Sequence, residues 1–234
     1  MIKAVLLDID NTLLSFDEYV KTSMRTGFQK FGLAAYEPWM YDVFTRVNNG
    51  LWRQIEEGQI VFSQLEQVRW NRVFEQLGIS FDGPVFEAYF RSCLRDSAIA
   101  VEGALELLRA LSGRCAVAVA SNGPYEQQVH RLDIGGMLPY IDHIFISEEI
   151  GAVKPSGAFF DVCMARLCEK MPVDRREVLM VGDSLTSDIG GGTAAGLLTC
   201  WYDPEGRSLP PNLHPDWVAR SLGEIPAICF GEEK

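Results

Sequence analysis

Ile2-Lys3-Ala4-Val5-Leu6-Leu7-Asp8-Ile9-Asp10-Asn11-Thr12-Leu13 opens the chain with a short apolar run that ends on two carboxylates. Continuous apolar character over so few residues suits a strand buried on both faces, as in a parallel sheet. At strand spacing Asp8 and Asp10 point to the same side, about 7 Å apart along the chain. Four further runs share the pattern: Cys115–Ala120, His143–Ile146, Val178–Val181 and Leu198–Trp201. Longer stretches with helical spacing separate them. This alternation predicts an α/β fold, a doubly wound parallel sheet with helices on both faces.

One interval breaks the rhythm. More than 100 residues separate the first strand from the second, and the stretch from Phe16 to Asp96 reads as several helices. Ser63-Gln64-Leu65-Glu66 has the pattern of a capping box, followed by Leu65, Val68, Arg69, Arg72, Val73 and Gln76 at helical spacing. Gly78 suits the end of that helix, and Gly32 and Gly58 punctuate earlier ones. The expected organisation is a core of residues 1–15 and 98–234 with an all-helical insert of residues 16–97. The stretch Asp203–Pro215, with four prolines and one glycine, is expected to be a loop.

The 234 residues carry 21 Lys+Arg against 32 Asp+Glu, a net charge of -11. That field opposes binding to a nucleic acid polymer or an anionic membrane, so any phosphate must meet a local cation. No uncharged apolar run approaches the ~18 residues of a membrane span. The first residues do not resemble a signal peptide, and the expected location is cytoplasmic. None of the six cysteines is paired at CxxC spacing, and Cys115 and Cys200 fall in strand-like runs. Reduced, mostly buried thiols are expected.

In open parallel sheets ligands bind at the carboxyl ends of the strands. Asp8, Asp10, Asn11 and Thr12 follow the first strand, and Ser121, Asn122 and Gly123 the second. Lys154-Pro155 comes several residues after the third, and Gly182, Asp183, Ser184 and Asp188 follow the fourth. Strand five runs into Asp203-Pro204. Taken singly, each is commonplace: a solvated strand end, a turn, a lysine at a helix start, a helix cap. Together and in this order they converge on one edge. Three carboxylates that close repel one another without a cation, and oxygen-only ligands favour a hard ion such as Mg²⁺. With Lys154 as fixed positive charge and the hydroxyls of Thr12 and Ser121 as donors, the set describes a phosphoryl-transfer site.

These four segments resemble the four motifs of the haloacid dehalogenase (HAD) superfamily. The resemblance covers nearly the whole chain and implies a Rossmannoid core with a helical C1-type cap. Val47-Asn48-Asn49-Gly50-Leu51-Trp52, Glu57-Gly58-Gln59-Ile60, the run of Gln127, Arg131 and Leu132 after Ser121-Asn122-Gly123, Phe145-Ile146-Ser147-Glu148, and Gly182-Asp183-Ser184-Leu185 with Ser187-Asp188-Ile189 further resemble the house-cleaning pyrimidine 5′-nucleotidases. Asn11 departs from the glycine of many superfamily members, and Ala194 from an asparagine frequent in that subfamily.

The resemblance implies that Asp8 is the nucleophile and Asp10 the general acid and base. Mg²⁺ would be held by Asp8, the Asp10 carbonyl and Asp183, with Asp188 behind them orienting a metal-bound water or Lys154. Thr12, Ser121, Asn122 and Lys154 would stabilise the transferring phosphoryl group. The implied partner is a small-molecule phosphate ester, most readily a nucleoside 5′-monophosphate. The same core motifs also suit a phosphoglycolate-type or sugar-phosphate phosphatase, a phosphomutase, or a scaffold of this fold that binds without turnover. Asp10 argues against a dehalogenase, because a halide leaves without a proton. Phe16, Tyr19 and Trp52 are candidates for stacking on a nucleobase. Trp39 and Trp70 are expected to pack the helical insert, and no role is assigned to His130, His143 or His214.

Overall fold

Along β1 (Ala4–Leu7) successive side chains enter opposite cores. Val5 and Leu7 face one way with Val117, Val119, Leu179 and Val181, while Ala4 and Leu6 face the other with Ala118, Ala120 and Met180. All four β1 residues are fully buried, as the strand at the centre of a two-sided sheet must be. The computed structural model describes residues 1–231. Within them β1 is joined by β2 (Ala116–Ser121), β3 (His143–Ile146), β4 (Val178–Gly182), β5 (Leu198–Tyr202) and β6 (Trp217–Ala219), all parallel, in the order β3-β2-β1-β4-β5-β6. The first five match the expected runs within one or two residues. The short β6 was not expected from the sequence. It follows the proline-rich stretch, and only Ala219 of its three residues is buried.

The chain divides into two compact units, one formed by Met1–Ser15 and the chain from Ala98 onward, the other by Phe16–Ser97. In the first unit, Leu107, Leu108 and Leu111 of α5 (Ala104–Leu111) and Leu132 of α6 (Tyr125–Ile134) cover one sheet face. Phe159, Phe160, Cys163 and Leu167 of the helix Gly157–Lys170 cover the other. The outgoing and returning segments are tied within the first unit: Leu14 bridges Ala100 antiparallel, Ser15 N donates to Ile99 O at 2.7 Å, and Val101 N to Leu13 O at 3.0 Å. The order of strands reverses direction between β1 and β4, so their carboxyl ends flank the crevice where such sheets bind ligands.

The second unit is all helical: α1 (Phe16–Lys30), α2 (Trp39–Glu56), α3 (Phe62–Leu77) and α4 (Gly83–Arg95). Its centre is aromatic. Trp70 lies with its ring centroid 4.2 Å from Phe86 and 5.2 Å from Phe90. Arg69 and Glu87, both nearly inaccessible, pair at 2.5 Å beside Asn48, whose Oδ1 accepts from Arg69 at 3.0 Å. Two expectations are corrected here. Helix α3 starts at Phe62 with Val61 as N-cap, and Gln64 Oε1 accepts from Val61 N at 2.9 Å, so Gln64 rather than Glu66 closes the first turn. Trp39 is 51% exposed at the first residue of α2, whereas Trp70 is fully buried as expected.

All six cysteines are free thiols. Cys115 lies one residue before β2 and is only partly buried, whereas Cys200 sits in the middle of β5 and is fully buried.

Candidate active site

The site is built around Lys154. Its Nζ donates to Asp8 Oδ1 at 2.7 Å, to Asp188 Oδ1 at 2.6 Å and to the Ala120 carbonyl at 2.6 Å. An ammonium has three hydrogens, and all three are used. Burial opposes the charge on Lys154, but the Asp188 and Asp8 carboxylates outweigh it and hold the ammonium protonated well above its usual range. Asn122 fixes the backbone beneath: Lys154 N donates to Asn122 Oδ1 and Asn122 Nδ2 donates to Lys154 O, both at 2.9 Å. The amide thus substitutes for a strand neighbour, which is why it follows directly after β2.

Asp8 continues the β1 ladder, its N–H donating to Val181 O at 2.9 Å. Burial is the main force on its carboxyl, pushing the pKa up to about 7; Lys154 opposes the shift and Asp188 adds to it. Asn11 has φ +60, a left-handed conformation that asparagine tolerates better than most residues other than glycine. The chain turns back at Asn11, with Thr12 N donating to Ile9 O at 3.3 Å and the Thr12 side chain fully buried. Thr12 Oγ1 is buried without a hydrogen-bond partner among the described residues.

After β4 the chain winds through a wide π-type turn, Leu185–Gly190, of a kind found frequently at functional sites. The turn brings Asp188 inward, with its Oδ2 accepting from Ser184 N at 3.1 Å. Gly182 is required here, because a Cβ would fall on the Asp188 carboxylate. The Asp183 carbonyl accepts from Trp201 Nε1 at 3.0 Å and Arg207 Nη2 at 3.3 Å, and Arg207 is itself anchored to the buried Asp203 at 2.8 Å. Asp203 also pairs with Arg220, so both its oxygens hold the loop after β5.

Oxygens of Asp8, Asp183 and Asp188 all lie within 4.8 Å of one another. Oxygen-only donors in such a cluster fit a hard divalent cation. Asp188 has both oxygens engaged, by Lys154 and Ser184, which suits it to holding the lysine rather than to direct ligation.

Asp10 is held differently. Arg131 Nη1 donates to Asp10 Oδ1 at 2.7 Å and Gln128 Nε2 to Asp10 Oδ2 at 2.9 Å. Gln128 Nε2 also donates to Ser121 Oγ at 3.1 Å, and its Oε1 accepts from Arg131 at 2.8 Å. Gln128 and Arg131 are almost wholly buried. The sequence reading missed Gln128 and gave Arg131 no role. The available signal was their i, i+3 spacing on the helix that follows Ser121-Asn122-Gly123. Gln127, part of the resemblance, is not in this network.

The structure thus brings Asp8, Asp10, Ser121, Asn122, Lys154, Asp183 and Asp188 to the crevice edge, and buries Thr12, four residues after Asp8. The aromatic candidates belong to the helical unit. Phe16 and Trp52 are partly exposed, with ring neighbours 5.7 Å away in Tyr19 and Phe62 respectively. Tyr19 is corrected as a stacking residue. It is 2% exposed, its ring lies 4.9 Å from Phe90, and its hydroxyl donates to the Phe90 carbonyl.

Residues 2–196 match the haloacid dehalogenase-like hydrolase family. The pyrimidine 5′-nucleotidase YjjG of Escherichia coli is 33% identical over 94% of this chain and 95% of its own. The pyrimidine 5′-nucleotidase PynA of Streptococcus pneumoniae is 32% identical over 86% of this chain and 84% of its own. The HAD hydrolase YfnB of Bacillus subtilis is 30% identical over 95% of this chain and 93% of its own. The magnesium-bound crystal structure of YfnB superposes with a TM-score of 0.89 over 98% of this chain and 99% of that chain, at 29% identity. The L-2-haloacid dehalogenase of Xanthobacter autotrophicus shares the fold with a TM-score of 0.78 at 17% identity. The chain is an enzyme that belongs to the haloacid dehalogenase-like hydrolase family.

Proposed function

We propose that this enzyme hydrolyses phosphomonoesters through an aspartyl-phosphate on Asp8, with pyrimidine nucleoside 5′-monophosphates as preferred substrates. The observation that carries the reading is the buried Lys154 bridging Asp8 and Asp188 beside Asp183, with Asp10 two residues from the nucleophile. The names of two relatives, YjjG and PynA, support the substrate class.

The Asp8 carboxylate attacks phosphorus in line; the new Asp8–O–P bond forms as the ester P–O bond breaks. Asp10 gives a proton to the leaving alkoxide. In the second half, Asp10 takes a proton from a water that attacks the phosphoacyl group, releasing inorganic phosphate and free Asp8. Lys154 keeps its charge throughout and offsets the negative charge gathered on phosphorus; Thr12, Ser121 and Asn122 are assigned to the same phosphoryl group. Asp8, Asp183 and the Asp10 carbonyl would hold Mg²⁺, which when bound neutralises carboxylates and phosphoryl oxygens together.

The helical unit is assigned the role of a cap that selects the leaving group, with Phe16 and Trp52 as the aromatic faces. A base stacked on one of them is worth about 1–3 kcal/mol, or roughly 5- to 150-fold in affinity. The test is kcat/KM with Mg²⁺ for UMP, dTMP, phosphoglycolate and glucose 1-phosphate, on wild type, Phe16→Ala and Trp52→Ala. Wild type is expected to favour the nucleotides, and at least one variant to narrow the gap while 4-nitrophenyl phosphate hydrolysis changes little. A wild-type preference for phosphoglycolate or glucose 1-phosphate would overturn the nucleotidase reading.

A further inference from the structure

Asp10, Arg131 and Gln128 close a ring of hydrogen bonds. Arg131 Nη1 has two hydrogens, one given to Asp10 Oδ1 at 2.7 Å and the other to Gln128 Oε1 at 2.8 Å. Gln128 Nε2 also has two, given to Asp10 Oδ2 at 2.9 Å and Ser121 Oγ at 3.1 Å. Both hydrogens of Arg131 Nη1, both of Gln128 Nε2 and the Gln128 Oε1 acceptor are thus used, which fixes the orientation of the Gln128 amide. Arg131 is 0% exposed and Gln128 1% exposed, while the Asp10 side chain remains about a third open. Burying a guanidinium and an amide is costly unless they are well bonded, and here each places a donor on one of the two Asp10 oxygens. Because Ser121 Oγ accepts from Gln128, its own hydrogen points elsewhere, and among the described residues it makes a long 3.5 Å contact to the Asn122 carbonyl.

We propose that Gln128 and Arg131 are positioning residues that hold the Asp10 carboxyl and the Ser121 hydroxyl as one unit. The inference rests on the reading of Asp10 as proton donor and acceptor. A carboxyl that must serve two successive proton transfers has to stand near the ester oxygen and then near the incoming water. Side chains on one face of α6, three residues apart, hold it from behind, and the same amide directs the Ser121 hydrogen toward the phosphoryl oxygens.

The two half-reactions need Asp10 unequally. Nitrophenolate leaves without a proton, so transfer from 4-nitrophenyl phosphate to Asp8 survives a misplaced Asp10, whereas attack by water on the aspartyl-phosphate still requires a base. An alkyl ester needs the proton in the first step. The experiment is rapid-quench and steady-state kinetics of the Mg²⁺-loaded enzyme, on 4-nitrophenyl phosphate and on UMP, for wild type, Asp10→Asn, Arg131→Met, Arg131→Lys and Gln128→Met. General acid–base help is typically worth about 10²–10⁴-fold. Arg131→Met is expected to lose about that much kcat on UMP. On 4-nitrophenyl phosphate it should release a burst of nitrophenol equal to the enzyme, followed by slow turnover. Arg131→Lys should recover part of the loss, and Gln128→Met should show the same burst at smaller cost.

If Arg131→Met does not fold, as its melting curve would reveal, Gln128→Met decides, since it keeps the guanidinium on Asp10. Equal losses on both substrates without a burst in the Arg131 and Gln128 variants, while Asp10→Asn does give a burst, would overturn the proposal and leave Asp10 in its role. Absence of any burst or leaving-group dependence in Asp10→Asn itself would remove the acid–base reading, and the proposal with it.

Discussion

A single lysine concentrates the energetics of the site. Lys154 satisfies Asp8, Asp188 and Ala120 O at once, and the two carboxylates face each other across its ammonium. Removing one partner from a buried ionic group leaves uncompensated charge, which costs about 3–5 kcal/mol. Lys154→Met is therefore expected to lower unfolding free energy by about that amount and to abolish turnover. Lys154→Arg should rescue neither, because a planar guanidinium cannot meet three acceptors that converge on a point. Denaturant titration beside a phosphate-release assay checks both; a Lys154→Met protein as stable as wild type would contradict the buried triad. Asp8→Asn makes a second prediction: the amide cannot attack phosphorus, so turnover should fall by at least about 10³-fold with the fold intact. These residues were legible because each follows a strand that the sequence marks plainly. Gln128 and Arg131 were not legible. Long polar side chains on a helix ordinarily face water, and the i, i+3 spacing of these two gives them a shared face without saying that α6 turns it inward. Tyr19 misled for the opposite reason: an aromatic close to Asp8 in sequence belongs to the packing of another unit.

Elements were legible where burial is two-sided. β1, β2, β4 and β5 sit between two helical layers, so nearly every residue is apolar and the run stands out. β6 is three residues with one buried, and its pairing with β5 comes only from tertiary context. Glycine shows how packing overrides propensity within the helical unit. Gly27 lies in α1 where a Cβ would come within 2.6–2.8 Å of the Phe86 and Tyr89 rings of α4. Gly50 lies in α2 with no atom within 4 Å of such a Cβ. Alanine is the better helix former by about 1 kcal/mol at either position. At Gly50 that gain should appear, about 0.5–1 kcal/mol of added stability. At Gly27 the aromatic rings would have to shift, and overpacking of this kind costs about 1–3 kcal/mol. Gly27→Ala and Gly50→Ala should thus move the unfolding midpoint in opposite directions, and equal shifts would contradict the close approach of α1 and α4.

At the scale of the whole molecule, a net charge of -11 disfavours a phosphate dianion everywhere except where cations are fixed, which makes the state of the carboxylate cluster govern both binding and stability. Asp8 ordinarily titrates near 3.8, and in the folded protein burial raises this to about 7. Between those values the folded state keeps a proton that the unfolded chain has released. In metal-free protein this group therefore adds stability that is fully present below about pH 4 and is lost as pH rises through about 7. A divalent cation needs the carboxylate form, so its contribution has the opposite slope. Each pH unit below 7 should cost about tenfold in apparent Mg²⁺ affinity, because the ion must displace the proton. For a chain of this size, tenfold in affinity, about 1.4 kcal/mol, corresponds to about 3–6 °C in melting temperature at saturating metal. Calorimetry with EDTA or excess Mg²⁺ should show a Mg²⁺-induced rise in Tm larger at pH 8 than at pH 6 by about that margin. Asp8→Asn has no proton to displace, so its Mg²⁺ response should be weaker and nearly the same at the two pH values. A wild-type response equal at pH 6 and pH 8 would mean that Asp8 does not take part in holding the ion.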